Sequence, residues 1–471
     1  MEAKIFFGSS EATTDSLAKR VNPYNGDIAS YSPICSADDA KKALLIAKEA
    51  AKEARKSTIA QRCSWLLDVA QKLRENREDL AKTITDEVGK PITFSRIEVD
   101  RCIETVTLSA ETMRSMHGET INSDAFASGK KTMAFFSRVP SGVIVAITPF
   151  NFPLNLIAHK LAPALVAGNA VVLKPTPEAP LTAYKFAKLF IESKYAIKDA
   201  LSVVYGDADV GGALVSSDIP RVISFTGSVA VGNIISKSAG IKKVSLELGG
   251  NAATFIDNSA DLDLAAARCA IGAFVNSGQV CISLQRIYVH ADIYEEFASK
   301  MAYESKKLVV GSPYNNDTFM GPLVNDEACQ RAMNWVQSAI NEGATPMLSP
   351  RVEGRMFYPC VMADVREEMA IVCEEVFAPI VSLIKVESFD EALPLMNNSP
   401  YGLQFSIFTN NLKLAQYAVS ELDAGGIVIN DMPTLRFDIQ PYGGVKLSGV
   451  GREGPRFAIE EMTEIKSVVI C

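Results

Sequence analysis

Three residues, far apart in the chain but each set in a turn, have the types needed for thiol acyl chemistry. Cys281 follows Asn276-Ser277-Gly278-Gln279-Val280, where small residues let backbone approach a ligand, and a thiolate delivered there is a nucleophile. Glu247 stands between Leu246 and Leu248 at the entry to Gly249-Gly250. A carboxylate withdrawn from water at that point holds its proton more tightly and suits a general base near neutrality. Asn151, within Thr148-Pro149-Phe150-Asn151-Phe152-Pro153, offers an amide to a developing oxyanion, as does a main-chain N–H at the thiol turn. Each also has a plain reading: Cys281 as inert core, Glu247 as a solvated strand end, Asn151 as a turn residue between prolines. The conjunction of nucleophile, base and donor is what favours chemistry.

Signals for a dinucleotide are present but individually weak. Gly206-x-x-x-x-Gly211-Gly212 and Gly227-Ser228-x-x-x-Gly232 are glycine-rich helix entries able to hold a pyrophosphate, yet neither is G-x-G-x-x-G after a first strand. Lys174, after Val171-Val172-Leu173, can reach ribose hydroxyls or a phosphate.

These residues need elements to carry them. Apolar runs at Val143–Ile147, Ala170–Leu173, Ser202–Val204 and Arg221–Phe225 alternate with helical stretches, the pattern of a parallel doubly wound sheet. Asn151, Lys174 and Ser228 then fall beyond strand carboxyl ends, where such sheets bind ligands. A second alternating region runs from about Ser245 to Asn430 and predicts a second α/β domain. Helical patterns cover 36–76, 77–88 and 94–116, the first with a serine cap and the second stopping at Gly89-Lys90-Pro91. The segment 118–138 reads as a projecting ribbon and 464–470 as an exposed-edge strand, which together predict an oligomer interface.

At 471 residues, 48% hydrophobic and 22% charged, the chain suits a soluble protein of two or three domains. A net charge of -8 without long like-sign runs disfavours nucleic-acid binding. Nine scattered cysteines and three histidines argue against disulfides and metal, and fit a reducing cytoplasm. No secretory signal is read at the N-terminus, and the longest apolar region, 142–173, is too interrupted by proline, lysine and asparagine to span a membrane.

Taken jointly, the stretches TPFNFP (148–153), KP (174–175), FTGS (225–228), ELGG (247–250), GQVC (278–281), EEVF (374–377), NNSPYGL (397–403) and PYGGVKLSG (441–449) resemble the NAD(P)-dependent aldehyde dehydrogenase superfamily over nearly the whole chain. The resemblance implies two doubly wound domains, a dinucleotide-binding one over 1–117 and 139–246 and a catalytic one over 247–448. It also implies a β ribbon and tail over 118–138 and 456–471 that build a homodimer or homotetramer. It implies that Cys281 attacks the aldehyde, that Asn151 and the Cys281 N–H bind the oxyanion, and that Glu247 activates water against a thioester. Thr148, Pro149, Phe150, Lys174, Gly227, Ser228, Gly232, Leu248, Glu375 and Phe377 would surround the dinucleotide. Because Glu247 is present, release of a free acid is expected rather than acyl transfer to CoA.

Many NAD-preferring relatives place an acid where this chain has Pro177, so NAD and NADP both stay open, with NAD favoured. The implied substrate wall comprises Arg101, Phe152, Asn155, His159, Val280, Ile282, Arg436 and Tyr442. Its polar members point to a hydroxylated aldehyde of the lactaldehyde or glyceraldehyde kind. The alternative is an anionic aldehyde (succinate semialdehyde, glyceraldehyde 3-phosphate or a sulfonated aldehyde) gripped by Arg101 and Arg436, unless those arginines serve only interdomain ion pairs. A non-enzymatic binding protein would be expected to have lost the thiol, and Cys281 is intact.

Overall fold

Strands that are apolar on both faces must be covered on both faces, and the computed structural model, which describes residues 1–471, arranges them so. Five parallel strands form the centre of the first sheet, in the order Leu201–Val203, Ala170–Lys174, Val143–Ile147, Val222–Thr226 and Lys243–Glu247. The chain enters at Val143–Ile147, winds outward one way, and returns to wind the other. The crevice lies where the order reverses, between Val143–Ile147 and Val222–Thr226. The expected parallel sheet is mixed at its margins. Ile5–Phe7 adds antiparallel to Leu201–Val203, and Gly449–Val450 antiparallel to Lys243–Glu247.

The second sheet has six parallel strands, ordered Cys360–Ala363, Ile380–Val386, Leu284–His290, Ala252–Ile256, Gln404–Phe408 and Gly426–Ile429, with Thr345–Leu348 antiparallel at one edge. Only Leu248–Asn251 separates Glu247, the last residue of the first sheet's strand, from Ala252. Four fully extended residues reach at most about 14 Å, so the chain has no length to run back along either sheet. It therefore passes from the carboxyl ends of the first sheet straight to the amino ends of the second. The expectation that ligand groups follow strands holds for the first sheet; in the second, Cys281, Glu375 and Phe377 precede theirs.

Helices α1 (Ala37–Lys56), α2 (Ile59–Glu75), α3 (Arg77–Val88), α4 (Ile92–Ser115) and α5 (Asn155–Val166) share the first lobe's core, with α1 and α5 directly on the sheet. The pattern read as continuous over 36–76 breaks at Ser57-Thr58, because the Thr58 hydroxyl accepts the Gln61 N–H at 3.1 Å and starts a new helix. Glu119–Ile121, Met133–Pro140 and Thr463–Ile470 make the three-stranded ribbon, Thr463 facing Pro140 and Ile470 facing Met133. The tail expected to be ribbon from 456 is divided. Helix Pro455–Glu461 lies against α4 and α5, and Ile459 and Met462 are buried in the first lobe's core. No helix is long and apolar enough to cross a membrane.

The turn carrying Asn151 is anchored by a buried ion pair. Glu98 on α4 accepts the N–H groups of Leu154 (2.8 Å) and Asn155 (3.2 Å), capping α5, and pairs with Lys90. The Lys90 ammonium sits 4.0 Å from the Phe152 ring centroid. Both charged side chains are excluded from water, so removing one leaves the other uncompensated. Glu98→Ala is expected to lower the unfolding free energy by about 3–5 kcal/mol in urea titration.

Candidate active site

The thiol turn follows helix Leu262–Phe274 and has three successive left-handed residues, Asn276 (φ 52°), Ser277 (φ 57°) and Gly278 (φ 72°). Two of them bear side chains, at a cost of about 1–2 kcal/mol each. Side-chain bonds offset it: Asn276 Nδ2 donates to Asn151 O and Gln279 O, both at 3.3 Å, and Ser277 Oγ to Gly321 O at 2.8 Å. A Cβ on Gly278 would collide with the Ala378 carbonyl, and one on Gly250 with the Cys281 carbonyl. The two-glycine crossing is thus pressed directly on the back of the thiol residue.

Cys281 Sγ lies 2.9 Å from Tyr442 Oη. Burial pushes the thiol up to about 11, against the pull of the Tyr442 hydroxyl and the Arg436 charge. Asn151 Nδ2 donates to Gln279 O at 3.1 Å, which brings the amide to the same turn. No main-chain acceptor takes the Cys281 N–H. Of the other eight cysteines, all unpaired, six are buried; Cys373 is half-buried and Cys471 exposed, and neither lines the cleft.

Glu247 closes its strand with both carboxylate oxygens buried and without a hydrogen-bond partner. Burial, and then the nearby Glu453 charge, holds it well above the ordinary carboxylate range. Glu453 is equally buried, which alone would raise it, but Lys160, His159 and Arg436 hold it at about 2. Lys160 Nζ lies 3.2 Å from Glu453 Oε1 and Arg436 Nη2 3.2 Å from Glu453 Oε2. Glu453 is thus the carboxyl that ionises readily, and Glu247 the one held back.

Both lie on a cleft of about 460 Å³ between the sheets. Pro149, Phe150, Gly227, Ser228, Leu248, Glu375 and Phe377 line one part of it. Ser228 caps helix Val229–Ser238, so that helix presents free N–H groups at the cleft, as a pyrophosphate requires. Glu375 Oε1 accepts the Gly250 N–H at 3.1 Å, and a Cβ on Gly249 would strike the same carboxylate. Burial raises Glu375 to about 7. Phe377 and Phe150 meet edge-on at 5.9 Å. Lys174, buried at its strand end, and Gly232 lie beyond the cleft wall, as does Thr148, whose N–H bonds Lys174 O at 3.3 Å. A glycine floor, a helix N-terminus and a buried carboxyl on one cleft fit a dinucleotide.

Arg101, Phe152, Asn155, Val280, Ile282, Arg436 and Tyr442 line the remainder. His159 does not. It is buried, with Nε2 3.0 Å from Asp438 Oδ1, and burial followed by the Arg436 charge lowers its pKa. The two arginines are also committed: Arg101 Nε and Nη2 grip Asp438 at 2.9 and 2.7 Å, and Arg436 pairs with Glu453 and covers Tyr442. Arg436 Nε and Thr434 Oγ1 remain buried without partners. Sequence reasoning missed Arg331, Thr434 and Glu453 on this wall. Lys160, a lone charge in an otherwise apolar helix, was the available sign that a buried acid such as Glu453 had to exist.

The aldehyde dehydrogenase family model matches residues 10–468. The chain is 41% identical over 461 residues to a 3-sulfolactaldehyde dehydrogenase of Priestia megaterium, covering 97% of this chain and 96% of that one. It is 39% identical over 453 residues to a lactaldehyde dehydrogenase of Methanococcus aeolicus, covering 95% and 96%. The structure of the NADP-dependent glyceraldehyde-3-phosphate dehydrogenase of Bacillus halodurans complexed with NADP superposes with a TM-score of 0.98 at 31% identity, covering 100% and 99%.

Because Glu375 is raised in the folded chain, its contribution to stability is complete below the unfolded carboxylate range and is lost as pH rises through about 7. Thermal midpoints of the protein without added nucleotide should therefore fall between pH 5 and 8, and Glu375→Gln should flatten part of that slope.

Proposed function

Since this chain belongs to the aldehyde dehydrogenase family and is an NAD(P)-dependent oxidoreductase, we propose that Cys281 is its nucleophile and a short hydroxylated aldehyde of the lactaldehyde or glyceraldehyde kind its substrate. The observation that carries this reading is a thiol and an unpartnered carboxyl facing one cleft that Asn155, Thr434 and Arg436 also line. Cys281 Sγ adds to the aldehyde carbon, and the resulting oxyanion takes hydrogen bonds from Asn151 Nδ2 and the Cys281 N–H. NAD(P), when bound, supplies the hydride acceptor that turns this adduct into a thioester. Ser228 would hold its pyrophosphate, Lys174 its adenosine ribose, and Glu375 with Phe377 its nicotinamide ribose, with Gly227 and Leu248 beside them. Glu247 then takes a proton from water, the hydroxide oxygen attacks the thioester carbon, and the carboxylic acid leaves as Cys281 regains its thiolate.

The polar wall supports the substrate class. Thr434 Oγ1 and Arg436 Nε, buried without partners, are each short of one hydrogen bond that an oxygenated substrate can supply. A second reading, an anionic aldehyde, is favoured by the likeness to a sulfolactaldehyde dehydrogenase and by Arg101 and Arg436 on the wall. The prior commitment of both arginines to carboxylates weighs against it. Ribbon strand Thr463–Ile470, with Ile465 and Val469 each 61% exposed, would pair with further copies in a homodimer or homotetramer. Nine unpaired cysteines suit a reducing cytoplasm.

Cys281→Ala is expected to reduce NAD(P)H production from a panel of small aldehydes to background; undiminished turnover would refute covalent catalysis. Glu247→Gln should give about one equivalent of NAD(P)H per site and then stall. Asn151→Ala should lower kcat about 10²–10³-fold. The wild-type steady-state rate should fall on acidification, because a base held above the carboxylate range is protonated first. Arg436→Ala tests the second reading: a large loss confined to anionic aldehydes supports it, and no change in any KM removes it.

A further inference from the structure

The Tyr442 hydroxyl has a single polar partner, the Cys281 sulfur, at 2.9 Å. A ring placed there only to fill space would not need a hydroxyl, and a buried phenol left unbonded would be costly. We infer that Tyr442 is a further catalytic residue, whose O–H donates to the Cys281 thiolate while the Arg436 guanidinium on its ring strengthens that donor. The inference rests on Cys281 being the nucleophile, as read above.

Several independent contacts hold this geometry. The Tyr442 backbone exchanges hydrogen bonds with Glu453, N to O at 3.1 Å and O from N at 2.6 Å. Its ring packs with Val280, Ile282 and Leu403 in a small apolar cluster. The Arg436 carbon Cζ lies 3.7 Å from the ring centroid, and the guanidinium is fixed by Glu453 Oε2 at 3.2 Å. A cation over the face of a phenol favours negative charge on its oxygen and so makes the O–H a stronger donor.

The four groups facing the thiol come from three segments: Glu247 from its strand end, Glu375 from the loop before Ile380, and Arg436 and Tyr442 from the C-terminal wall. The two carboxyls oppose a thiolate when ionised, and burial holds Glu247 back from ionising. Arg436 and Tyr442 are left as the groups that favour it. On ionisation the thiol proton leaves to solvent and Tyr442 keeps its own. The same O–H meets the sulfur again when thioester hydrolysis expels it as a thiolate.

The test is the pH dependence of Cys281 alkylation by iodoacetamide, followed by peptide mass spectrometry because eight other thiols are present. In Tyr442→Phe the midpoint should rise by about one unit, with alkylation about tenfold slower at neutral pH. Placing 3-fluorotyrosine at 442, a near-isosteric and more acidic phenol, should move the midpoint down. An unmoved midpoint in Tyr442→Phe that still binds NAD(P)H overturns the inference. If that variant does not fold, an unmoved midpoint in the fluorotyrosine protein overturns it alone. Cys281→Ala keeps the two readings apart: aldehyde turnover surviving in it removes the nucleophile assignment itself, whereas an inactive Cys281→Ala beside an unmoved Tyr442→Phe midpoint removes only the role of Tyr442.

Discussion

Four residues, Leu248 to Asn251, join the two sheets, and the two in the middle have no room for a side chain. Gly249 lies against the Glu375 carboxylate and Gly250 against the Cys281 carbonyl, so the crossing is also the floor of the cleft. This sets the polarity of the whole molecule. Carboxyl ends of one sheet face amino ends of the other, the first presenting loops and a helix N-terminus, the second a strained turn with a thiol. Van der Waals contact along one short segment thereby fixes the Cys281 carbonyl and the Glu375 carboxyl against the crossing between the two sheets.

The same cleft solves a problem of charge. Two carboxylates enclosed together cannot both ionise cheaply, and the surroundings decide which one does. Lys160 and Arg436 attend Glu453, while Glu247 has no partner. Glu453 is therefore the permanent anion and Glu247 the titrating group. Gly443 sits so close that a Cβ there would crowd Glu247 Oε1, which helps to keep the carboxyl dry. Arg436 belongs to both halves of this arrangement, pairing with Glu453 while covering the tyrosine that touches the thiol.

Much of this was legible in the sequence because it is local. Turn chemistry announces itself in Asn276-Ser277-Gly278, and apolar runs such as Val143–Ile147 read as buried strands without knowledge of their neighbours. What escaped depends on distant pairing. Glu453 gains its meaning from Lys160, 293 residues away, and Ile5–Phe7 gains its sheet from Val203. His159 looked like substrate wall because its helix follows Asn151, but Asp438, 279 residues on, draws it inward. The helix over 36–76 divides at Thr58 because a single hydroxyl competes successfully for the backbone, a local effect hidden by uniformly helical composition on both sides.

The placement of helix Pro455–Glu461 and strand Gly449–Val450 has a consequence for biogenesis. Both complete the lobe whose other elements are translated first, and Ile459 and Met462 are interior residues of that lobe. The emerging polypeptide leaves that hydrophobic interior unfinished while more than two hundred further residues are made, because Glu247 cannot pair with Gly449 before then. Completion of the first lobe therefore waits on segments made after the second sheet, and a nascent chain stalled before Gly449 lacks the strand, Ile459 and Met462 that close that core.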